Sequence, residues 1–166
     1  MNQLKIFKPT LILDNITNID ISYILNNGYK LVIFDMNNTI TDYYTTSIPY
    51  KLKELIKKLK QNNIAVYILT NSFNKNYAKE VSKILNVKYI YKAFKPLPFA
   101  VLGILKKENI NAKQAVMIGD HIFTDILNAN LCKLNSILVG PLNKREKLHS
   151  KLTRKIENFI IKLMNY

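Results

Sequence analysis

The chain has 166 residues, 48% of them hydrophobic, with 25 Lys and Arg against 11 Asp and Glu and a formal charge of +14. Residues 1–166 amount to a single domain with apolar mass enough for a core, which excludes intrinsic disorder. The single cysteine, Cys132, excludes an internal disulfide and a thiolate metal site and suits a reducing, cytoplasmic setting. The charge itself has two readings of equal weight. Lys accounts for 23 of the 25 basic residues, and Lys, Asn and Ile together make 67 of the 166 residues. All three have A/T-rich codons, so compositional drift explains the charge as well as a polyanionic partner does. Residues 1–10 contain no signal-peptide core. The longest apolar runs, such as 64–69, fall far short of the roughly 20 residues that span a bilayer.

In chain order, residues 18–27 read as one short helix ended by Gly28. An apolar run follows at 31–34. Ser47 and Pro49 open a helix in which Leu52, Leu55, Ile56 and Leu59 form a stripe, with lysines on the other face. Run 64–69 precedes a helix marked by Tyr77, Val81, Ile84 and Leu85. Run 89–91 precedes one marked by Val101, Leu102 and Leu105. Run 115–118 precedes one marked by Ile122, Ile126 and Leu127. After run 136–139 comes the longest stripe: Leu148, Leu152, Ile156, Phe159, Ile160 and Leu163. Continuous short apolar runs are how buried parallel strands read. Their alternation with helices predicts an α/β fold, a Rossmann-like three-layer sandwich around a mainly parallel sheet.

Ligands bind such sheets at the carboxyl ends of the strands. There the sequence places Asp35 and Asn37, then Thr70 and Asn71, then Lys95, then Asp120, His121 and Asp125. Only six Asp occur in the chain, and three of them fall here. Taken singly, Asp35 and Asp120 read as turn residues, Thr70 to Ser72 as a helix cap, and Lys95 and Asp125 as solvated side chains. Taken in order, they read as a site. Clustered carboxylates need a cation, and an all-oxygen set suits Mg2+ with a substrate phosphate. Asp35 is then the nucleophile that attacks phosphorus, and Thr70 and Lys95 engage the phosphoryl oxygens.

These residues resemble the motifs of the haloacid dehalogenase-like hydrolase superfamily. FDMNNTI (34–40) resembles the first motif, ILTNS (68–72) the second, Lys95 in AFKP the third, and GDHIFTD (119–125) the fourth. Through most of its length the chain is similar to the YqeG-like branch of subclass IIIA, associated with phosphatidylglycerophosphate phosphatases. The resemblance implies catalytic roles for Asp35, Asn37, Thr70 and Lys95. It implies phosphate binding by Thr70, Asn71 and Lys95, and Mg2+ held by Asp35, Asn37, Asp120 and Asp125. It implies loss of the terminal phosphate from phosphatidylglycerophosphate. One position departs: the family's acid/base Asp is Asn37 here, which offers Mg2+ a backbone carbonyl but carries no titratable proton. An engineered change, natural loss of activity, and a slower enzyme using another acid such as His121 all account for it.

The gaps at 40–48 and 71–95 are too short for a large cap domain. An uncapped site suits a phosphate presented on a surface, such as a lipid headgroup. The basic segment from Leu142 to Tyr166 then predicts peripheral contact with an anionic membrane, at its inner, cytoplasmic face. Other readings are a receiver-like phosphoacceptor domain, a catalytically inactive scaffold that binds, and a phosphatase for small soluble molecules. A phosphatase for nucleic-acid ends rests on charge alone, with no nucleic-acid module in the sequence.

Overall fold

The computed structural model describes residues 3–43, 45–143 and 148–163. Its strands are β1 (Leu11–Leu13), β2 (Leu31–Phe34), β3 (Ala65–Leu69), β4 (Lys88–Ile90), β5 (Ala115–Gly119) and β6 (Asn135–Val139). Its helices are α1 (Ile21–Asn26), α2 (Tyr50–Gln61), α3 (Lys75–Leu85), α4 (Phe99–Glu108), α5 (Leu127–Leu131) and α6 (Leu148–Leu163). All six strands pair in parallel, in the order β1-β6-β5-β2-β3-β4. Five of them lie where the apolar runs predict. β1 is not announced by any long run: it has three residues and pairs with β6 alone.

Both faces of the sheet are covered, which is why the strands read as unbroken apolar runs. Val32, Phe34, Val66, Ile68, Val116 and Ile118 pack on the side of α1, α2 and α3. Leu31, Ile33, Tyr67, Leu69 and Met117 pack on the side of α4 and α5. In α2 the expected stripe of Leu52, Leu55, Ile56 and Leu59 is buried, each side chain contributing about 1.5–3 kcal/mol. In α3 and α4 the buried faces differ slightly from the expected stripes: Ile84 and Leu102 are exposed, whereas Ala78 and Ile104 are buried.

The chain runs from β2 outward through β3 to β4, then crosses to β5 on the other side of β2. The strand order therefore reverses between β2 and β5, and a crevice opens beyond their carboxyl ends. Among the described residues no cap domain stands over that edge; residues 35–49 hold turns and one isolated bridge, Asn37 to Thr41.

The last helix is present but turned from its expected orientation. Ile160 and Glu157 are buried, and Ile156 and Phe159 are exposed. The cause is polar: a Glu157 carboxylate oxygen accepts the Phe123 N–H at 3.2 Å, which draws that face inward. Lys144, Arg145, Glu146 and Lys147 lie outside the described residues, as do the side chains of Leu148, His149, Lys151, Leu152, Arg154 and Leu163. Of the basic residues expected at a membrane, Lys155 and Lys162 are described and exposed.

Candidate active site

Asp35 extends β2, its N–H donating to Ile118 C=O at 2.8 Å. The turn behind it is compact. The N–H groups of Ile40 and Thr41 both reach Met36 C=O, at 3.0 and 3.1 Å. Asn38 turns the chain with φ 62°, a conformation that Asn tolerates better than most residues. This turn aims Thr39 at the neighbouring strand end, where its hydroxyl donates to Asp120 Oδ1 at 3.1 Å.

Lys95 lies at the centre. Its side chain is 2% exposed, and its ammonium donates to Asp35 Oδ1 at 2.6 Å, Asp125 Oδ1 at 2.7 Å and Leu69 C=O at 2.9 Å. An ammonium has three protons, and here each has an acceptor. The loop that carries Lys95 is held by Asn71, whose Oδ1 accepts the Lys95 N–H at 2.7 Å and whose Nδ2 donates to Lys95 C=O at 2.9 Å. Asn128 holds the next turn, donating to the carbonyls of Pro96 and Leu97 at 3.0 and 2.8 Å.

Asp125 faces Lys95 with one oxygen and accepts the His121 N–H with the other, at 3.1 Å. That approach needs Gly119, because a Cβ there would collide with the Asp125 side chain. The His121 ring lies against two carboxylates, with Nδ1 at 3.3 Å from Glu157 Oε2 and Nε2 at 3.8 Å from Asp120 Oδ2. Thr70 is buried, and its hydroxyl accepts the Ser72 N–H at 3.1 Å and the Asn37 Nδ2–H at 3.4 Å.

The fold thus brings Asp35, Lys95, Asp120 and Asp125 together and sets Asn37 beside Thr70. The carboxamide of Asn71 clamps the Lys95 loop. Asp125 holds the Lys95 ammonium and the His121 N–H and, with Asp35 and Asp120, is one of three carboxylates close enough to share a cation. Thr39, Gly119 and Asn128 also shape the site and have legible neighbours in the motifs. Glu157 has no such signal, since it sits inside an apolar helical stripe.

Three carboxylates, from Asp35, Asp120 and Asp125, lie with ligand atoms within 4.8 Å of one another. One ammonium balances them, so the buried cluster keeps an excess of negative charge. The Asp35 carboxyl shows the consequence. Its pKa is raised to about 7, with burial the largest cause, Lys95 opposing it, and Asp125 and Asp120 adding to the rise. Burial also disfavours the Lys95 ammonium, but Asp125 and Asp35 outweigh it and raise its pKa above the ordinary range. The donor set fits a hard divalent cation, which takes oxygen ligands and offsets that excess.

A pH dependence follows. Folded Asp35 holds its proton more tightly than unfolded Asp35, whose ordinary value is 3.8. Its favourable contribution is complete below that value and is lost as pH rises toward 7. In EDTA, Asp35→Asn should therefore gain stability relative to the parent between pH 4 and 7, on the order of a few kcal/mol. Added Mg2+ should stabilise the parent and not the variant at pH 7. Urea melts at several pH values measure both. A constant difference across the window would remove Asp35 from the buried cluster.

Known proteins resemble the chain over most of its length. A family profile described as "Mitochondrial PGP phosphatase" matches residues 1–140. "Probable phosphatase YqeG" of Bacillus subtilis is 28% identical over 157 residues, 95% of this chain and 91% of that protein. "Phosphatidylglycerophosphate phosphatase 1, chloroplastic/mitochondrial" of Arabidopsis thaliana is 24% identical over 147 residues, 84% of this chain and 42% of that protein. Among solved structures, the cobalt-bound deoxy-D-mannose-octulosonate 8-phosphate phosphatase of Haemophilus influenzae superposes with TM-score 0.55 at 16% identity, over 82% of this chain and 89% of that one.

Proposed function

We propose, for a chain that belongs to the mitochondrial PGP phosphatase family and is a haloacid dehalogenase-type phosphoric monoester hydrolase, that it converts phosphatidylglycerophosphate to phosphatidylglycerol. The observation that carries the reading is the buried Lys95 ammonium bonded to Asp35 and Asp125, beside Asp120, at an edge with no cap over it among the described residues. An open edge admits a phosphate that stays attached to a large surface.

In this mechanism an Asp35 carboxylate oxygen attacks phosphorus, and the bond from phosphorus to the glycerol oxygen breaks. The glycerol oxygen leaves and takes up a proton from solvent, since Asn37 has none to give, and an aspartyl-phosphate remains. Water then attacks that phosphorus, freeing Asp35 and inorganic phosphate. The Thr70 hydroxyl donates to the phosphoryl oxygens; Lys95 fixes Asp35 in place and lends its positive charge, and bonds the phosphate directly once it releases one of its three acceptors. Asp35, Asp120 and the backbone carbonyl of Asn37 would hold Mg2+, with Asp125 supporting through Lys95. The cation supplies positive charge where negative charge grows on the phosphoryl oxygens.

The work takes place at a membrane surface. No helix among the described residues is long and apolar enough to cross a bilayer. Lys155 and Lys162 of α6 favour peripheral attraction to anionic lipid, about 1 kcal/mol for each basic residue close to the surface.

Phosphate release from phosphatidylglycerophosphate in mixed micelles tests the reading. Release should require Mg2+, stop in EDTA, and vanish in Asp35→Asn. Faster release from a small soluble phosphomonoester than from the lipid would reassign the substrate.

A further inference from the structure

Consecutive side chains part company at the third strand-end loop. Lys95 points into the site and is 5% exposed, whereas Phe94 before it is 55% exposed. Phe94 has φ 54°, a left-handed conformation that bulky residues rarely hold. Neither burial nor backbone preference explains an aromatic ring at this position. The second strand-end loop does the same: after Thr70 it places Phe73, 68% exposed, with its ring centroid 6.0 Å from that of Phe94, edge to face. Leu97, 50% exposed, is tied to Phe94 C=O through its N–H at 2.9 Å, and Phe99 opens α4 at 73% exposure. Lys92 Nζ stands 5.0 Å from the centre of the Phe73 ring.

These are exposed apolar side chains on the two loops that supply Thr70 and Lys95 and at the start of α4, with one cation, Lys92, beside them. Soluble monomers rarely leave such a group open to water without use. Its chemistry matches the boundary layer of a bilayer. Aromatic rings settle at the level of the headgroups, and lysines lie against aromatic surface while their charge reaches anionic phosphates. A protein partner would be served by the rings alone. Lys92 and the chain's charge of +14 favour an anionic surface.

We propose that Phe73, Phe94, Leu97 and Phe99, with Lys92, form a docking surface that inserts into the headgroup layer of an anionic bilayer and brings the crevice to its phosphate. This rests on the reading of the substrate as a phospholipid. Docking through loops at the site's own rim lets a phosphate reach Asp35 without leaving its lipid. Helix α6 then adds attraction at longer range.

The test uses the full chain and needs no turnover, so it stands apart from the assay of phosphate release. The chain has no Trp, so Phe94→Trp and, on α6, Phe159→Trp each introduce a single fluorophore. They are mixed with vesicles of phosphatidylcholine containing or lacking phosphatidylglycerol. The Phe94→Trp emission should shift to the blue with anionic vesicles only, and be quenched by lipids brominated along the acyl chain. The double variant Phe73→Ser/Phe94→Ser should co-sediment about tenfold less or worse with the same vesicles. Its circular dichroism should match the parent, since both rings lie largely in water. A shift confined to Phe159→Trp, undiminished sedimentation of the double variant, or no binding by the parent would each overturn the proposal.

Discussion

Asn37→Asp should raise turnover by about 10²–10⁴-fold, equivalent to roughly 3–5 kcal/mol of barrier. Asn37 lies at the mouth of the site, its Nδ2 at 3.4 Å from the Thr70 hydroxyl. A carboxyl in that place can give a proton to the departing oxygen of a phosphomonoester and then take one from the attacking water. A carboxamide does neither. The His121 ring lies between Glu157 and Asp120, so both of its nitrogens face carboxylates.

Steady-state phosphate release by parent and variant measures the gain. A second readout separates the two half-reactions. With Asp35 as nucleophile and position 37 as the acid/base, the parent should form the aspartyl-phosphate but hydrolyse it slowly, so the adduct should accumulate after mixing with an activated phosphate donor. Mass spectrometry of rapidly quenched protein should show the added phosphoryl group at higher occupancy in the parent than in Asn37→Asp. Equal turnover in the two proteins would mean that position 37 plays no acid/base part. No adduct in either, with Mg2+ bound, would make the chain a scaffold that binds phosphate without attacking it.

How much of this was legible in the sequence depends on where each residue's partners lie. Buried parallel strands declare themselves, because both faces need apolar side chains; runs such as 31–34 and 115–118 are unbroken for that reason. Asp35 and Asp120 follow those runs directly, and parallel strands bring their carboxyl ends to one edge. The strand order was not legible, since it depends on which helix covers which face. β1 was hidden by its length and edge position. That the Asn71 amide clamps the Lys95 loop was not legible either, because its partner backbone lies 24 residues away. Glu157 was hidden because a helix's apolar stripe says nothing of a distant N–H, here that of Phe123. The exposure of Phe94 could not be read either. Hydrophobicity predicts burial, and only the alternation around Lys95 turns that ring outward.

Lys95→Met should cost about 3–5 kcal/mol of stability as well as phosphate binding. Taken singly in the sequence, Lys95 reads as a solvated side chain. The structure revises that expectation, because Lys95 is the buried counter-charge of Asp35 and Asp125. Met keeps most of the volume and deletes the charge, so the loss is electrostatic rather than a cavity. Three carboxylates then share one crevice with no ammonium, and Leu69 C=O loses its donor. Removing the opposing charge should recover part of the loss. Lys95→Met/Asp125→Asn should be more stable than Lys95→Met, and the cycle through Asp125→Asn should give a coupling of about 1–3 kcal/mol. Urea melts in EDTA measure all four proteins. Mg2+ should narrow the gap between Lys95→Met and the parent, because a cation in the crevice supplies some of the missing charge. Phosphate binding separates the two roles of Lys95. It should stay weak in the double variant even where stability returns, since Asp125→Asn relieves repulsion but gives the phosphoryl oxygens no ammonium. Additive melts, with no coupling between positions 95 and 125, would show that the ion pair does not hold the site together.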